Sequence, residues 1–434
     1  MLKRHIETEL LAWKVGIHRK PLLVRGARQV GKTYSIREFG RTFPRLLEVN
    51  FEEHPEVRTF FKGALTPALL CERLSAYFNV PIVEGDTLLF FDEIQACPEA
   101  ISSLRFFYEQ KPGLHVVAAG SLLEFALHKI PSMGVGRITS LFMHPLTFIE
   151  FLGALGEGGM LSMMSSADAE HPLDPAFHTR LVDIMRTYML VGGMPDPVAA
   201  YAATSDIRAA MKVMDDLILT LEDDFGKYRE RTSVQRLQET FRSVAAQAGE
   251  KFTCSKVNRE VKSTVVKDTL SLLVHAGLVH LVTHTDARGL PLGAQQDERC
   301  FKAYLLDVGI HQRVLGLDIP AHLISGETQL VNKGNLAELF VATQWLAHHG
   351  CTLRPSLHYW RREARGANAE VDFVVEREGR IMPVEVKSGT RGSMQSLLLF
   401  MKERELRHGI RVSLENFGRV GDIEILPLYA IHRL

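Results

Sequence analysis

The sequence predicts an α/β protein in which a parallel sheet with a phosphate-binding loop comes first, a helical and winged-helix middle follows, and a small α/β domain ends the chain. Three observations predict this. Residues 26–33 fit G-x-x-x-x-G-K-[ST] directly after the apolar run Leu22–Val24. A second apolar run, within 87–93, ends in two acids. Residues 369–387 alternate like two strands joined by a tight turn.

The length and composition set limits. A chain of 434 residues is too long for one compact core, and we expect domains at 1–155, 176–230, 231–320 and 325–434. Lys+Arg and Asp+Glu balance at 51 each, so contact with DNA would need a local basic patch. The five cysteines show no C-x-x-C spacing, which is typical of reduced cytosolic thiols. With a charged N-terminus and no apolar stretch of membrane-spanning length, the sequence predicts a cytoplasmic protein without a membrane partner.

The glycine-rich loop is the first candidate site. Gly26 and Gly31 allow tight turns that point successive N–H groups at phosphate oxygens, and a helix starting near Lys32 adds its positive dipole end. Lys32 would reach the β- and γ-phosphates, and the Thr33 hydroxyl would bind Mg²⁺. An ordinary glycine-rich turn is the alternative, and the strand before the loop argues against it. The predicted nucleotide-binding residues are Gly26, Ala27, Arg28, Gln29, Val30, Gly31, Lys32 and Thr33.

The run Leu88–Phe91 predicts a central strand buried on both faces, whose carboxyl end opens at the ligand. In an ATPase, Asp92 would hold Mg²⁺ through a water, and Glu93 would polarise the attacking water. A strand end meeting a solvated turn is the alternative. The position of these two acids after the phosphate loop favours the functional interpretation.

Two further residues are candidates with open alternatives. Ser121 ends an apolar strand and would sense the γ-phosphate or orient water, or else cap the helix 122–127. Arg137 follows Gly136 and would contact phosphates or act as a finger across a subunit boundary, or else be a surface arginine.

The motifs together resemble a bacterial and archaeal family of AAA-type P-loop ATPases. They are Gly26–Thr33, Leu88–Glu93 with Gln95, Ala119–Ser121, Gly136-Arg137 and His144–Phe151. In that family the ATPase core is fused to a C-terminal region of unknown function, and Tyr188–Pro195 resembles the start of that region. The resemblance covers nearly the whole chain. It implies ATP as ligand, Mg²⁺ as cofactor and hydrolysis of ATP.

The middle of the chain predicts helices and a winged helix. Residues 153–175 read as a flexible linker, and Thr232–His284 predicts helices near 235–248, 255–261 and 264–276, with Ser263 as the last one's N-cap. Four cations surround the third helix and would contact DNA phosphates, although Glu260 and Asp268 weaken that case: they are Lys256, Arg259, Lys262 and Lys267. A packing or lid element is the alternative.

The C-terminal segment carries a second constellation. The order Glu338, Asp372, Glu385 and Lys387 resembles the PD-(D/E)XK nuclease fold, with Val371 where that pattern has proline. Side chains 385 and 387 are two apart on a strand and face one side. Asp372 and Glu385 would share Mg²⁺, Glu338 would complete its ligands, and Lys387 would activate the attacking water. The alternative is a network of cross-strand ion pairs that includes Glu370 and Arg380.

The sequence therefore predicts a Mg²⁺-dependent ATPase coupled to handling or cleavage of DNA. The alternative is a regulatory ATPase switch whose C-terminal domain is a non-catalytic binding scaffold. A basic patch of Arg361, Arg362 and Arg365 beside Tyr359 and Trp360 suits a nucleic-acid backbone with stacking aromatics, or a solvated loop. The sequence leaves the oligomeric state open.

Overall fold

The computed structural model describes residues 2–63, 66–121, 123, 127, 136–228, 231–316, 334–362, 369–390 and 392–434. The chain forms two compact units. The first comprises residues 3–144 together with 350–354, and the second comprises 145–349 and 355–434 together with Leu2.

The first unit is built on a parallel sheet of five strands, in the order β2-β3-β4-β1-β5. Its strands are β1 Leu22–Arg25, β2 Arg45–Asn50, β3 Thr87–Asp92, β4 His115–Ala119 and β5 Thr139–Phe142. Its described helices are α1 Ile6–Val15, α2 Lys32–Gly40, α3 Pro67–Phe78 and α4 Pro98–Gln110. Strands β3 and β4 are buried along their whole length, as their unbroken apolar runs predict for a sheet covered on both faces.

The second unit begins with helices and ends in a mixed sheet. Its described helices are α5 Phe148–Ala154, α6 Gly158–Ser166, α7 Pro175–Val191, α8 Pro195–Thr204, α9 Ile207–Asp223, α10 Val234–Ala246, α11 Ser263–His275, α12 Val308–Val314, α13 Gly334–His349 and α14 Gln395–Glu403. Its strands are β6 Val279–Thr285, β7 Gln296–Leu305, β8 Leu357–Arg361, β9 Glu370–Arg377, β10 Arg380–Val386, β11 Gly409–Ser413, β12 Gly418–Val420 and β13 Ile423–Pro427.

These eight strands form one sheet in the order β12-β13-β11-β10-β9-β8-β6-β7. Strands β6 and β7 pair antiparallel where the sequence predicts the wing, and β6 also pairs in parallel with β8, aligning Val282 with Leu357. This antiparallel pair is therefore part of the same sheet as the C-terminal strands. The strands before and after the boundary expected between 231–320 and 325–434 belong to this one sheet.

The prediction of a flexible linker at residues 153–175 is wrong, because α6 occupies the centre of this segment. The helix is held by burial: Met164 is fully buried in the core of the unit. The Arg433 guanidinium donates hydrogen bonds to the main-chain oxygens of Met164 and Ala167, which satisfies carbonyls at the end of the helix.

The prediction of a helix near 255–261, the second helix of the predicted winged segment Thr232–His284, is also wrong. Only a single 3₁₀ turn forms there, Cys254–Lys256. The Asn258 side chain accepts a hydrogen bond from the main-chain N–H of Glu260 at 2.9 Å, a local turn that competes with helix. Ser263 is not the N-cap of α11 but its first residue, and the cap position belongs to Lys262, which makes no side-chain capping bond.

A buried polar network joins α7, α12 and the segment before α5. The Asp307 carboxylate accepts the main-chain N–H of Gly193 at 2.6 Å and caps α12 by accepting that of Ile310 at 2.9 Å. The Gly193 oxygen in turn accepts the N–H of Leu146 at 2.6 Å. A Cβ on Gly193 would lie 2.2 Å from the Leu146 oxygen, so only glycine fits this crossing. The Gly192-Gly193 motif is therefore a packing requirement of this network.

Candidate functional site

The phosphate loop connects β1, an inner strand of the parallel sheet, to α2. Gly26 has φ +147° and its missing Cβ would lie 2.2 Å from the Met143 oxygen, so a side chain would collide with the main chain. Gly31 has φ +95°, a conformation that glycine adopts without strain, and α2 begins at the next residue. The loop therefore leads into a helix N-terminus, the arrangement that binds phosphate.

The Lys32 side chain is buried and folds back onto its own loop. Its Nζ donates to the main-chain oxygens of Gly26 at 3.1 Å and Ala27 at 2.7 Å. Burial lowers the pKa of Lys32 to about 8, although Glu93 and Asp92 act in the opposite direction. The ammonium is therefore held by two neutral acceptors, which an anionic phosphate oxygen would replace with a stronger partner.

Thr33 and Asp92 meet at the carboxyl end of β3. The Thr33 hydroxyl donates to Oδ2 of Asp92 at 3.0 Å. Desolvation and the neighbouring Glu93 raise the pKa of Asp92 to about 6. Because the carboxyl gains protons at a higher pH than in the unfolded chain, it should bind a divalent cation more weakly as the pH falls below about 6.

Glu93 is held by two polar side chains, those of Gln95 and Ser121. It has φ +47°, a strained conformation for a residue other than glycine. Its Oε2 accepts hydrogen bonds from the Gln95 amide and, at 3.4 Å, from the Ser121 hydroxyl. The Arg28 Nε donates to the same Ser121 hydroxyl at 3.1 Å. The structure thus links the phosphate loop, through Ser121, to the predicted water-polarising acid.

The role of Gln95 was missed by sequence reasoning, although the residue was part of the recognised motif. Its side chain packs where Gly120 has none: a Cβ on Gly120 would lie 2.2 Å from Oε1 of Gln95. The signal in the sequence is the pair Gly120-Ser121 at the end of the apolar strand. Strand formation alone does not explain a glycine followed by a serine there.

Arg137 lies near the amino end of β5, at the opposite end of the strands from the phosphate loop. It precedes β5, whose first residue Thr139 aligns with Leu22 at the start of β1, while the loop follows the end of β1. That separation is roughly 15 Å along the strands. Arg137 Nε pairs with Oε1 of Glu109 near the C-terminal end of α4, at 2.5 Å. This placement is therefore incompatible with a contact between Arg137 and phosphates bound at the phosphate loop of the same subunit. A role of Arg137 across a subunit boundary stays a prediction.

The second constellation lies on one side of the C-terminal sheet. Asp372 on β9 accepts the main-chain N–H of Val386 at 2.7 Å, and Glu385 on β10 pairs with Lys387 at 2.6 Å. Desolvation raises the pKa of both carboxyls, and the negative charge of Glu338 adds to the effect. The structure therefore brings the four predicted residues to one region, where burial disfavours the charged form of two of the carboxyls.

Sequence reasoning missed a buried lysine in this region. Lys302 on β7 has a fully buried side chain, and its Nζ binds Glu338 Oε2 at 3.0 Å and Glu370 Oε1 at 2.6 Å. The Tyr304 hydroxyl donates to the same Glu338 oxygen at 2.9 Å. Glu370, a member of the alternative ion-pair network, is thus paired with Lys302, which that prediction did not include. The signal was a single lysine within the otherwise apolar run Phe301–Leu306.

The C-terminal residues do not fit a bound divalent metal in this arrangement. Within the described ranges, no three His, Cys, Asp or Glu side chains are placed so that they could hold a metal ion together. Glu338, predicted as the third ligand, already binds the Lys302 ammonium and the Tyr304 hydroxyl. We therefore derive no metal-dependent step at this site.

The predicted nucleic-acid patches differ in accessibility. Tyr359 and Trp360 are buried, and Trp360 packs against Phe400 with ring centroids 4.9 Å apart, so neither ring is free to stack on a base. Arg362 pairs with Glu403 at 3.1 Å, and Arg365 lies outside the described residues. By contrast, the four cations of the winged segment are exposed: Lys256, Arg259, Lys262 and Lys267.

Three family descriptions match successive parts of the chain. Residues 18–152 match an AAA domain. Residues 182–320 match a domain of unknown function, DUF8612, and residues 333–431 match another, DUF4143. No curated protein matches the chain.

Several solved structures are similar to parts of this chain at low identity. The Walker-type ATPase paby2304 of Pyrococcus abyssi aligns with 73% of this chain and 96% of its own, at 16% identity and a TM-score of 0.45. The ORC1 protein of Aeropyrum pernix, solved in complex with DNA, aligns with 74% and 94%, at 15% identity and a TM-score of 0.27. The RuvB Holliday junction branch migration motor of Thermotoga maritima aligns with 66% and 90%, at 14% identity and a TM-score of 0.28.

The five-stranded parallel sheet and the phosphate loop fit the P-loop NTPase class of domains, and the match over residues 18–152 is to an AAA domain. The fold predicted for the N-terminal part is thereby confirmed. The C-terminal part is a mixed sheet with helices that matches domains of unknown function. None of the helices in the described ranges has the length and apolar character needed to cross a membrane.

Proposed function

We propose that the first unit binds ATP with Mg²⁺ and hydrolyses it. One observation carries the proposal: Lys32, Thr33, Asp92, Glu93 and Ser121, which come from three separate strand ends, are joined by hydrogen bonds or lie beside one another at the same edge of the sheet. Ligands of open parallel sheets bind at this edge, outside the carboxyl ends of the strands.

Each residue has a chemical task in this proposal. The main-chain N–H groups of the loop bind the phosphate oxygens, and Lys32 exchanges its two carbonyl acceptors for the β- and γ-phosphates. Thr33 and Asp92 would hold Mg²⁺, which neutralises charge on the triphosphate when bound. Glu93 orients the attacking water, and Ser121 and Gln95 fix the direction of its carboxylate.

Replacing Glu93 by glutamine tests the proposal. Glu93→Gln keeps the shape of the side chain but removes the charge that polarises water, so ATP turnover should fall by about 100-fold or more. Binding of Mg²⁺-ATP, measured by calorimetry, should change by less than about threefold, because the loop and Lys32 are intact. Phosphate release measured in steady state gives the turnover.

The matched control is Glu72→Gln, which neutralises an exposed glutamate on α3. It should leave both turnover and binding at the level of the unmodified protein. The proposal fails if the unmodified protein binds no nucleotide in the presence of magnesium, or if Glu93→Gln hydrolyses ATP as fast as the unmodified protein does.

A second candidate function is binding of the DNA backbone by the winged segment, coupled to the ATPase. The supporting observation is the exposure of all four cations on the turn and helix between 256 and 267, of which Lys256 also pairs with Glu250 at 2.6 Å. Exposed lysine and arginine side chains on a helix bind phosphates without reading sequence.

Reversing two of these charges tests DNA binding. Lys262→Glu combined with Lys267→Glu should weaken the affinity for a double-stranded oligonucleotide by at least about tenfold at low salt, and by less at high salt. Fluorescence anisotropy at several salt concentrations measures this. The control Lys402→Glu changes an exposed lysine on α14 and should weaken binding by less. Equal affinities of the unmodified protein and the double variant at low salt would remove this candidate.

We further propose that residues 334–413 have a nuclease-like fold used as a non-catalytic binding scaffold. The order of elements supports it: α13, the antiparallel strands β8, β9 and β10, then α14, and β11 parallel to β10, with acids on β9 and β10. Cleavage of DNA is not part of the proposal, because the carboxylates there do not fit a divalent metal.

A further inference from the structure

The carboxylates Glu338, Glu370, Asp372 and Glu385 form what we term the acid cluster of the second unit. Acidic side chains gathered at one place repel one another and need a cation or protons among them. Two lysines form ion pairs with the cluster. Lys387 binds Glu385 at its margin, and Lys302 binds Glu338 and Glu370 from within the sheet.

Lys302 is placed as an internal cation. Its side chain is 0% exposed, and its Nζ lies 2.6 Å and 3.0 Å from oxygens of two different carboxylates. The same Nζ lies 5.3 Å from the centroid of the Tyr359 ring, a cation–π distance. Two carboxylate oxygens and an aromatic ring therefore surround the Lys302 ammonium.

Lys302 also occupies carboxylate oxygens that could otherwise bind a metal ion. Glu338 Oε2 accepts both the Lys302 ammonium and the Tyr304 hydroxyl. Glu370 lies against the same ammonium. Of the cluster, this leaves Asp372, already bound to a main-chain N–H, and Glu385, already paired with Lys387. These two carboxyls are fewer than the three carboxylate ligands predicted for the metal, and one oxygen of each is already hydrogen-bonded.

We propose that the Lys302 ammonium is the resident cation of the acid cluster, which stands in for a divalent metal and keeps the site free of one. Removal of this ammonium would release Glu338 and Glu370 toward Asp372 and Glu385. Four carboxylates without an internal cation would then make a site for a hard divalent ion. This inference concerns a different site from the ATPase and holds or fails independently of nucleotide hydrolysis.

The test measures Mn²⁺ binding to the nucleotide-free, full-length protein by electron paramagnetic resonance. Lys302→Met replaces the ammonium by an apolar chain of similar length and should create one Mn²⁺ site that binds at least about tenfold more tightly than any site of the unmodified protein. Lys302→Arg, the matched control, keeps the charge and should gain no site. Adding Asp372→Asn to Lys302→Met should abolish the gained site, which locates it in the cluster.

A second measurement covers the case in which Lys302→Met does not fold. If Lys302 serves as the cation, Mn²⁺ and EDTA should leave the thermal unfolding midpoint of the unmodified protein unchanged. Should Mn²⁺ instead raise that midpoint, with the increase lost in Asp372→Asn, the cluster is a metal site in the native chain and the proposal is overturned. A folded Lys302→Met variant that gains no Mn²⁺ site overturns it equally.

Discussion

We expect Lys32→Ala to reduce the proposed ATP hydrolysis to the background rate, a loss of at least about 1,000-fold, and to weaken nucleotide binding as well. Lys32 carries a buried ammonium at the start of α2, where its two present acceptors are carbonyl oxygens of the loop. The β- and γ-phosphates would lose their main charged partner in this variant. Phosphate release gives the turnover, and calorimetry with Mg²⁺-ATP gives the affinity.

This result differs from that expected for Glu93→Gln, which loses turnover but keeps binding. The matched control for Lys32→Ala is Lys62→Ala, because Lys62 is an exposed lysine of the same unit. Its turnover and affinity should equal those of the unmodified protein. Undiminished hydrolysis by a folded Lys32→Ala variant would falsify the assignment of the nucleotide site.

Asp307→Ala has the largest expected effect on stability. The variant leaves the buried N–H groups of Gly193 and Ile310 without their acceptor, and each orphaned donor costs about 1–3 kcal/mol. We expect the free energy of unfolding of the second unit to fall by about 3 kcal/mol or more. Burial raises the pKa of Asp307, although the N–H groups of Gly193, Ile310 and Gly309 act against it. Urea titration followed by circular dichroism measures the change.

Asp206→Ala is the matched control, since Asp206 is also an aspartate at a helix N-cap. It accepts the N–H of Arg208 at 2.8 Å, but it is exposed, so water replaces the lost acceptor. Its cost should be about 1 kcal/mol. Equal losses in the two variants would contradict the role given to the buried network of Asp307.

The parallel sheet of the first unit was predictable because its signals are local. The runs Leu22–Val24 and Leu88–Phe91 are apolar without a break, and their ends carry the motif residues. Helix α6 was not predictable in the same way. Its glycines, serines and methionines resemble a linker, and the contacts that hold it come from Arg433, 269 positions from Met164 in sequence.

The two candidate sites also differ in how far the sequence predicts them, because only the first depends on local signals. Lys32 and Thr33 belong to one contiguous loop, and Asp92 joins them because parallel strands end at a common edge. In the acid cluster, the sequence order indicated which residues come together, but not their charge balance. That balance depends on Lys302, which reaches Glu338 from a strand that the motif does not include.

The shared sheet of the second unit affects how this chain can be divided. Strands β6 and β8 are neighbours, yet their paired residues Val282 and Leu357 are 75 positions apart in sequence. A cut near residue 325 therefore separates two strands that are hydrogen-bonded to each other. Each fragment would present an open strand edge to solvent, and such edges recruit other chains. Expression of residues 231–320 or 325–434 alone should therefore yield aggregates, whereas a fragment that spans 145–434 retains every strand of the ladder.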